Sequence, residues 1–295
     1  MLHIAAVAKY FNTLTAVDGV DFTVSEGAIY GFLGPNGAGK TTTIRMIMGI
    51  IEPDSGSITF KDKPIRSLPV NTFGYLPEER GLYQKQKLLD TIVYFGTLKG
   101  LSESEARKKA IDWIDRFDLT LYSDKKTEEL SKGNQQKVQF IITLLHDPQL
   151  VVLDEPFTGL DPVNQLLLKE IIQEKQQGGT TFLFSTHQME QVERLCTNIC
   201  LINKGKMLLE GALDTIRNDF HNNQVVVEYE GQLDQKGLDT YLENPTIDER
   251  KLSGIMRADS QPFIAWLNDQ VTIKDYSLRP PTLEEIFIAT VKAQS

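Results

Sequence analysis

Gly34-Pro35-Asn36-Gly37-Ala38-Gly39-Lys40-Thr41 fits the pattern G-x-x-x-x-G-K-[ST] at every fixed position. Glycines let such a loop fold back so that several backbone N–H groups point inward, through dihedrals that other residues avoid. A strand-like run over 28–33 precedes the loop, and 41–50 carries a helical apolar pattern after it. The helix therefore starts at the loop, and its unpaired N–H groups and positive dipole end face whatever anion the loop encloses. That chemistry suits the phosphates of a nucleotide. Gly34, Asn36, Gly37, Ala38 and Gly39 form the cradle, and Lys40 reaches the β- and γ-phosphates. The Thr41 hydroxyl holds Mg2+, and Thr42 adds a hydroxyl near the α-phosphate. A chance glycine-rich turn is the plain alternative; the strand–loop–helix context argues against it.

Further along, Leu150-Val151-Val152-Leu153 is an apolar strand that ends in Asp154 and Glu155. A strand buried on both faces releases these acids at its C-terminal edge, where open α/β sheets bind ligands. Asp154 is suited to hold Mg2+, directly or through water, and Glu155 to orient or deprotonate an attacking water. Alone, the pair reads as a solvated strand end. With the phosphate loop upstream it reads as the hydrolytic half of a P-loop NTPase that uses Mg2+.

The rest of the chain fits that class. Short alternating runs in 1–33 read as strands, and Pro53-Asp54-Ser55-Gly56 is a turn before a strand over 57–61. Residues 90–117 read as helical, with Ile92, Phe95, Leu98, Ala106 and Trp113 on one side. Apolar runs at 150–153 and 180–185 read as buried strands, with a helix over Pro162–Gln177 between them. Strand and helix alternate, so the fold class is α/β, a mixed sheet with helices packed on it. Near 215–223 the texture changes, and 224–229 alternates like a strand. The expected organisation is a nucleotide-binding unit over 1–215, with a helical subdomain over about 81–145, and a small α+β unit over 220–295.

Composition sets the outer limits. The 295 residues are 41% hydrophobic, enough for a substantial core. Lys and Arg total 31 against 40 acids, a net charge of −9, which opposes a role in gripping nucleic-acid phosphates. No apolar run approaches the roughly 18–20 residues of a spanning helix. The first ten residues lack the basic start and apolar stretch of a secretory signal. A cytoplasmic protein is expected, attached to a membrane only through another chain. Cys196 and Cys200 read as reduced, packed thiols.

Between the two hydrolytic motifs lies Leu130-Ser131-Lys132-Gly133-Asn134-Gln135-Gln136-Lys137, which resembles the LSGGQ signature of the ATP-binding cassette family. The resemblance covers about residues 1–215, with the motifs in the family's order. It implies that Phe11, with Tyr10 beside it, stacks on adenine. Glu78 falls at the Q-loop, Asp161 in Gly159-Leu160-Asp161-Pro162 at the D-loop, and His187 after Ser185-Thr186 at the switch position. It also implies that the nucleotide is ATP, held in a sandwich in which Lys40, Glu155 and His187 of one chain share it with Ser131 and Gly133 of a second copy or a homologous cassette. The signature departs from the family at Lys132 and Asn134, which keep hydrogen-bonding capacity. At the Q-loop a glutamate replaces glutamine, and Glu78 remains able to ligate Mg2+ while adding negative charge.

Tyr75-Leu76-Pro77-Glu78-Glu79-Arg80-Gly81-Leu82-Tyr83, together with Pro281-Thr282-Leu283-Glu284-Glu285-Ile286-Phe287, looks like ATPases of two-component bacterial exporters, such as Nat-type sodium and drug-efflux systems. Family likeness then implies an integral membrane permease as partner, received on a surface within 81–121. Tyr83, Tyr94 and Phe95 are candidates for that surface, although helical spacing also suits Tyr94 and Phe95 to a core. The competing function is a soluble ATPase of the same superfamily acting on ribosomes or DNA. A single cassette without a long coiled-coil insertion, and the acidic charge, disfavour it.

Overall fold

The computed structural model describes residues 1–79, 81–220 and 224–293. Arg80 of the exporter-like segment, 221–223 of the expected boundary and 294–295 of the expected second unit lie outside the described residues. The chain divides into two units, Met1–Ala212 and Leu213–Ser295.

In the first unit the order is β1 (Leu2–Phe11), β2 (Leu14–Val24), β3 (Ile29–Leu33), α1 (Lys40–Ile47), β4 (Ser55–Phe60), β5 (Lys63–Pro64) and β6 (Phe73–Leu76). Three helices follow: α2 (Leu88–Leu98), α3 (Glu103–Arg116) and α4 (Lys132–Leu144). The unit closes with β7 (Leu150–Asp154), α5 (Pro162–Gln177), β8 (Thr181–Thr186), α6 (Met189–Leu195), β9 (Asn198–Asn203) and β10 (Lys206–Ala212). One sheet, β2-β1-β4-β5, is antiparallel. The other runs β10-β9-β3-β8-β7-β6, parallel from β9 to β6 with β10 antiparallel at its edge.

The apolar runs become the inner strands: β3, β7 and β8 are buried at every position, as strands covered on both faces must be. Phe22 of the first sheet stacks on Tyr30 and Phe32 of the second, each with ring centroids 5.3 Å apart. Parallel register carries the C-terminal ends of four strands to one edge. Leu33 lies opposite Thr186, Asp154 opposite Ser185, and Leu76 opposite Leu153. The loops after β3, β8, β7 and β6 are therefore neighbours in that order.

The single helical stretch expected over 90–117 is two helices. Gly100, at φ +91°, ends α2 by donating its N–H to the Thr97 carbonyl, while Leu101 N–H reaches the Gly96 carbonyl. Ser102 then starts α3 with a reciprocal cap: its hydroxyl accepts from Glu105 N–H, and its own N–H donates to the Glu105 carboxylate at 3.0 Å. The apolar stripe looked unbroken because Ile92 and Ala106 are both fully buried, on helices that pack together.

The second unit comprises α7 (Leu213–Asp219), β11 (Gln224–Glu230), α8 (Leu238–Tyr241), β12 (Leu242–Asp248), β13 (Lys251–Met256), α9 (Ser260–Asn268), β14 (Thr272–Arg279) and α10 (Leu283–Ala293). Its antiparallel sheet runs β12-β13-β11-β14 around a core that includes Val225, Val227, Leu252, Phe263 and Leu267. The division falls at Ala212, earlier than the 215–223 read from sequence. The change of texture marks β11, and α7 before it already belongs to the second unit. Among the described residues no helix is long and apolar enough to cross a membrane.

Candidate functional site

At the shared strand edge of the first unit lies a cleft of about 510 Å³, lined by the loop residues Asn36, Gly37, Gly39, Lys40, Thr41 and Thr42. Two positions of this loop admit only glycine. Gly39 sits at φ +103°, with space for a Cβ only 2.5 Å from the Ala16 carbonyl, and a Cβ on Gly34 would strike the Ile202 carbonyl. No side chain caps α1, which leaves its first N–H groups for an anion. The three threonines are sorted by their partners: the Thr43 hydroxyl turns back to the Gly39 carbonyl at 3.0 Å, while Thr41 and Thr42 line the cleft. Gly34 and Ala38 are buried under the loop, with Ala38 N–H bonded to the Pro35 carbonyl at 3.1 Å.

Lys40 is only 7% exposed. Its ammonium donates to the carbonyls of Gly34 at 2.7 Å and Pro35 at 3.1 Å. Burial lowers its pKa, against the pull of Glu155, Asp154 and Glu78. These three carboxylates line the same cleft. Burial, reinforced by Glu78 and Glu155, pushes Asp154 up to about 6, against the nearby Ser185 hydroxyl and the charge of Lys40. The Asp154 Oδ2 atom is buried without a hydrogen-bond partner. An orphaned carboxylate oxygen in a cleft that Thr41 and Glu78 also line is what a hard, oxygen-seeking cation satisfies. Among the described residues no three His, Cys, Asp or Glu side chains converge on a metal position by themselves. Mg2+ is commonly bound in that way, through one or two carboxylates plus the substrate's phosphates. The residues fit the ion.

Glu155 adopts φ +50°, a left-handed conformation that costs a non-glycine residue roughly 1–2 kcal/mol. It turns the side chain off the end of β7, where three donors hold it. Thr186 Oγ1 donates to one carboxylate oxygen at 2.9 Å. His187 N–H, at 2.9 Å, and its ring Nδ1, at 2.7 Å, meet the other. The imidazole is half exposed beyond this contact and does not itself line the cleft. Sequence alone does not single out Thr186, because its role depends on β8 lying beside β7. Thr186→Val is expected to lower turnover about tenfold, the worth of one hydrogen bond to a charged group, with the KM for ATP unchanged. Steady-state phosphate release measures both.

The remaining candidates lie elsewhere. Ser131 caps α4, accepting from Asn134 N–H at 3.2 Å, and Asp161 caps α5, accepting from Asn164 N–H at 3.0 Å. Asn164 holds the Asp161 carboxyl below its usual range. A Cβ on Gly133 would lie 3.3 Å from the Gly159 carbonyl, so the two helix starts adjoin. None of Ser131, Gly133 and Asp161 lines the cleft. Nor does Phe11: it is 44% exposed, with Lys9 Nζ 5.6 Å from its ring, and its hairpin partner Leu14 forms the wall instead, with Thr15 and Ala16. Lys204, absent from the sequence reading, also lines the cleft.

A phosphate cradle between strand and helix, with acids delivered by a parallel strand two places along the same sheet, defines a P-loop nucleotide hydrolase. Comparison with known proteins narrows the class. Residues 17–158 match the family described as ABC transporter, and 211–291 match the ATP-binding protein DrrA1-3-like C-terminal domain. The chain is 45% identical to the uncharacterized ABC transporter ATP-binding protein YhaQ of Bacillus subtilis (strain 168), over 99% of each chain. It is 31% identical to the Nod factor export ATP-binding protein I of Rhizobium sp. (strain N33), over 97% of this chain and 95% of the relative. A solved structure of an ATP binding subunit of an ABC transporter shares 31% identity and a TM-score of 0.70, over 75% of this chain and 93% of the other. The chain belongs to the ABC transporter ATP-binding proteins: it is an ATP-hydrolysing subunit that serves transport.

Proposed function

We propose that two of these chains, or one with a homologous cassette, close around two MgATP and drive export through a separate membrane permease. The carrying observation is a site divided in two. Lys40, Thr41, Asp154 and Glu155 share a cleft, whereas Ser131, Gly133 and Asp161 stand at two adjoining helix starts outside it. At the α4 start Ser131 takes only the Asn134 N–H, which leaves the earlier N–H groups of that helix for a phosphate. The cleft that they complete belongs to a partner.

Within the cleft the loop N–H groups and Lys40 hold the β- and γ-phosphates, and Thr41, Asp154 and Glu78 supply oxygens to Mg2+. The ion neutralises charge that develops on the transferring phosphoryl group. Glu155 takes the proton of the attacking water, and Thr186 and His187 keep its carboxylate in place. His187, half exposed, faces the γ-phosphate from the open side. Phe11, at the rim beside Leu14, stacks on the adenine.

Tyr83 and Tyr94 are 52% and 46% exposed, and with Phe95 they form a ring cluster with centroids 5.7–5.8 Å apart. A small cavity lined by Leu82, Phe95, Gln139 and Ile142 adjoins it. This surface is the docking place for a cytoplasmic helix of the permease, which places the subunit on the inner face of the membrane. Relatives named for Nod factor export and linearmycin resistance support the outward direction.

The partition of the site is testable. Ser131→Arg pushes a long cation into the partner's phosphate position while leaving the chain's own cleft intact. Nucleotide binding by the monomer is expected within twofold of wild type, while turnover falls on the order of 10²-fold, as when a transition-state donor is lost. Sizing in MgATP should find monomer only. An undiminished dimer would sink the sandwich.

A further inference from the structure

The turn between β9 and β10 is two residues long, since Asn203 pairs with Lys206. Both of its residues have positive φ, +48° for Lys204 and +78° for Gly205, as a tight type I′ hairpin requires. Asparagine, aspartate or glycine relaxes into the first of these positions; lysine does not. The turn is also fixed to the phosphate loop. Gly205 N–H donates to the Ala38 carbonyl at 2.9 Å, and the Gly205 carbonyl accepts from Asp18 N–H at 2.8 Å. A Cβ on Gly39 would lie 3.5 Å from the Gly205 Cα. Lys204 is thus set on a rigid support whose neighbours are the loop itself and the β2 start.

Lys204 lines the cleft together with Thr42, Leu14, Thr15 and Ala16. Among the described residues no ion pair engages Lys204, although Lys206 two positions on pairs with Asp18 at 3.4 Å. The charges that act on Lys40 and Asp154 are each other, Glu78 and Glu155, and Lys204 is outside that group. Lys40 and the carboxylates thus act on one another, while Lys204 enters the cleft from the turn held against Ala38, Gly39 and β2.

We infer that Lys204 is a nucleotide-binding residue, whose ammonium engages the α-phosphate of nucleoside di- and triphosphates. The inference rests on the nucleotide reading of the cleft and adds a contact from outside the phosphate loop. Since ATP and ADP share the α-phosphate, Lys204 contributes equally to both, and nothing to adenosine.

Lys204→Gly tests this in the full chain, because glycine suits φ +48° and removes the cation without straining the turn. By titration calorimetry, MgATP and MgADP are both expected to bind about tenfold more weakly, the loss of one charge-assisted hydrogen bond. Lys204→Arg should restore most of the affinity, and the melting temperature of nucleotide-free Lys204→Gly should not fall. Wild-type affinity in Lys204→Gly overturns the assignment. So does a Lys204→Arg variant as weak as the glycine one, which would mean that shape and not charge matters. A wild-type chain that binds neither nucleotide would instead overturn the reading of the cleft, and this proposal with it.

Discussion

Glu155→Gln is expected to bind MgATP normally, to release almost no phosphate, and to accumulate as an ATP-bound dimer. The substitution is close to isosteric, and the surroundings can accommodate it. The side-chain carbonyl can still accept from His187, and the new amide can donate to the Thr186 hydroxyl, which now both donates and accepts nearby. What disappears is the charge and basicity of the carboxylate. General-base assistance is typically worth ~10²–10⁴ in rate, so turnover should fall by that factor. Removing one negative charge from beside the γ-phosphate also lessens repulsion when two cassettes close, and without hydrolysis nothing reopens them. Size-exclusion chromatography in MgATP should resolve the dimer. Adding Ser131→Arg to the same chain should return it to monomer. If Glu155→Gln stays monomeric and turns over at the wild-type rate, Glu155 is neither base nor brake.

How much of this site could be read in advance depends on how local each part is. The cradle 34–41 is one contiguous segment whose geometry follows from its glycines and its place between strand and helix. Asp154 and Glu155 likewise follow from a strand that ends in acids. What the sequence did not disclose depends on which strands are neighbours. Thr186 holds Glu155 only because β8 lies beside β7 with Ser185 opposite Asp154. Lys204 reaches the cleft only because the β9–β10 turn is bonded to Ala38. Phe11 is the converse case: its place in the family motif puts it on the adenine, while in the structure it is its hairpin partner Leu14 that lines the cleft. The break at Gly100 was within reach, since a glycine followed two residues later by Ser102 and then Glu105 is a stop and a start. A continuous apolar stripe on two packed helices concealed it.

Lys40→Ala is expected to weaken MgATP binding by roughly 30-fold or more and to abolish measurable turnover. The reason lies in how the ammonium is kept when no phosphate faces it. Lys40 is buried, burial depresses its pKa, and its hydrogen bonds go to two backbone carbonyls that a phosphate would outcompete for charge. Three carboxylates line the same cleft. With Lys40 gone, the incoming triphosphate meets Glu78, Asp154 and Glu155, and among the described residues that line the cleft Lys204 is the remaining cation. Losing one member of a buried, hydrogen-bonded charge pair typically costs ~2–5 kcal/mol, because the opposing charge is left uncompensated. ADP, which lacks the γ-phosphate, should lose less affinity than ATP, and adenosine none. Lys40→Met, which fills the space without the charge, should behave like the alanine variant if charge is responsible. Calorimetric titration of the three ligands separates these effects, and a thermal melt without nucleotide confirms that each variant is folded. Equal losses for ATP and adenosine would mean that the loop had collapsed. A folded variant that binds and hydrolyses ATP as wild type would remove Lys40 from the phosphates, and with it the assignment of the cleft.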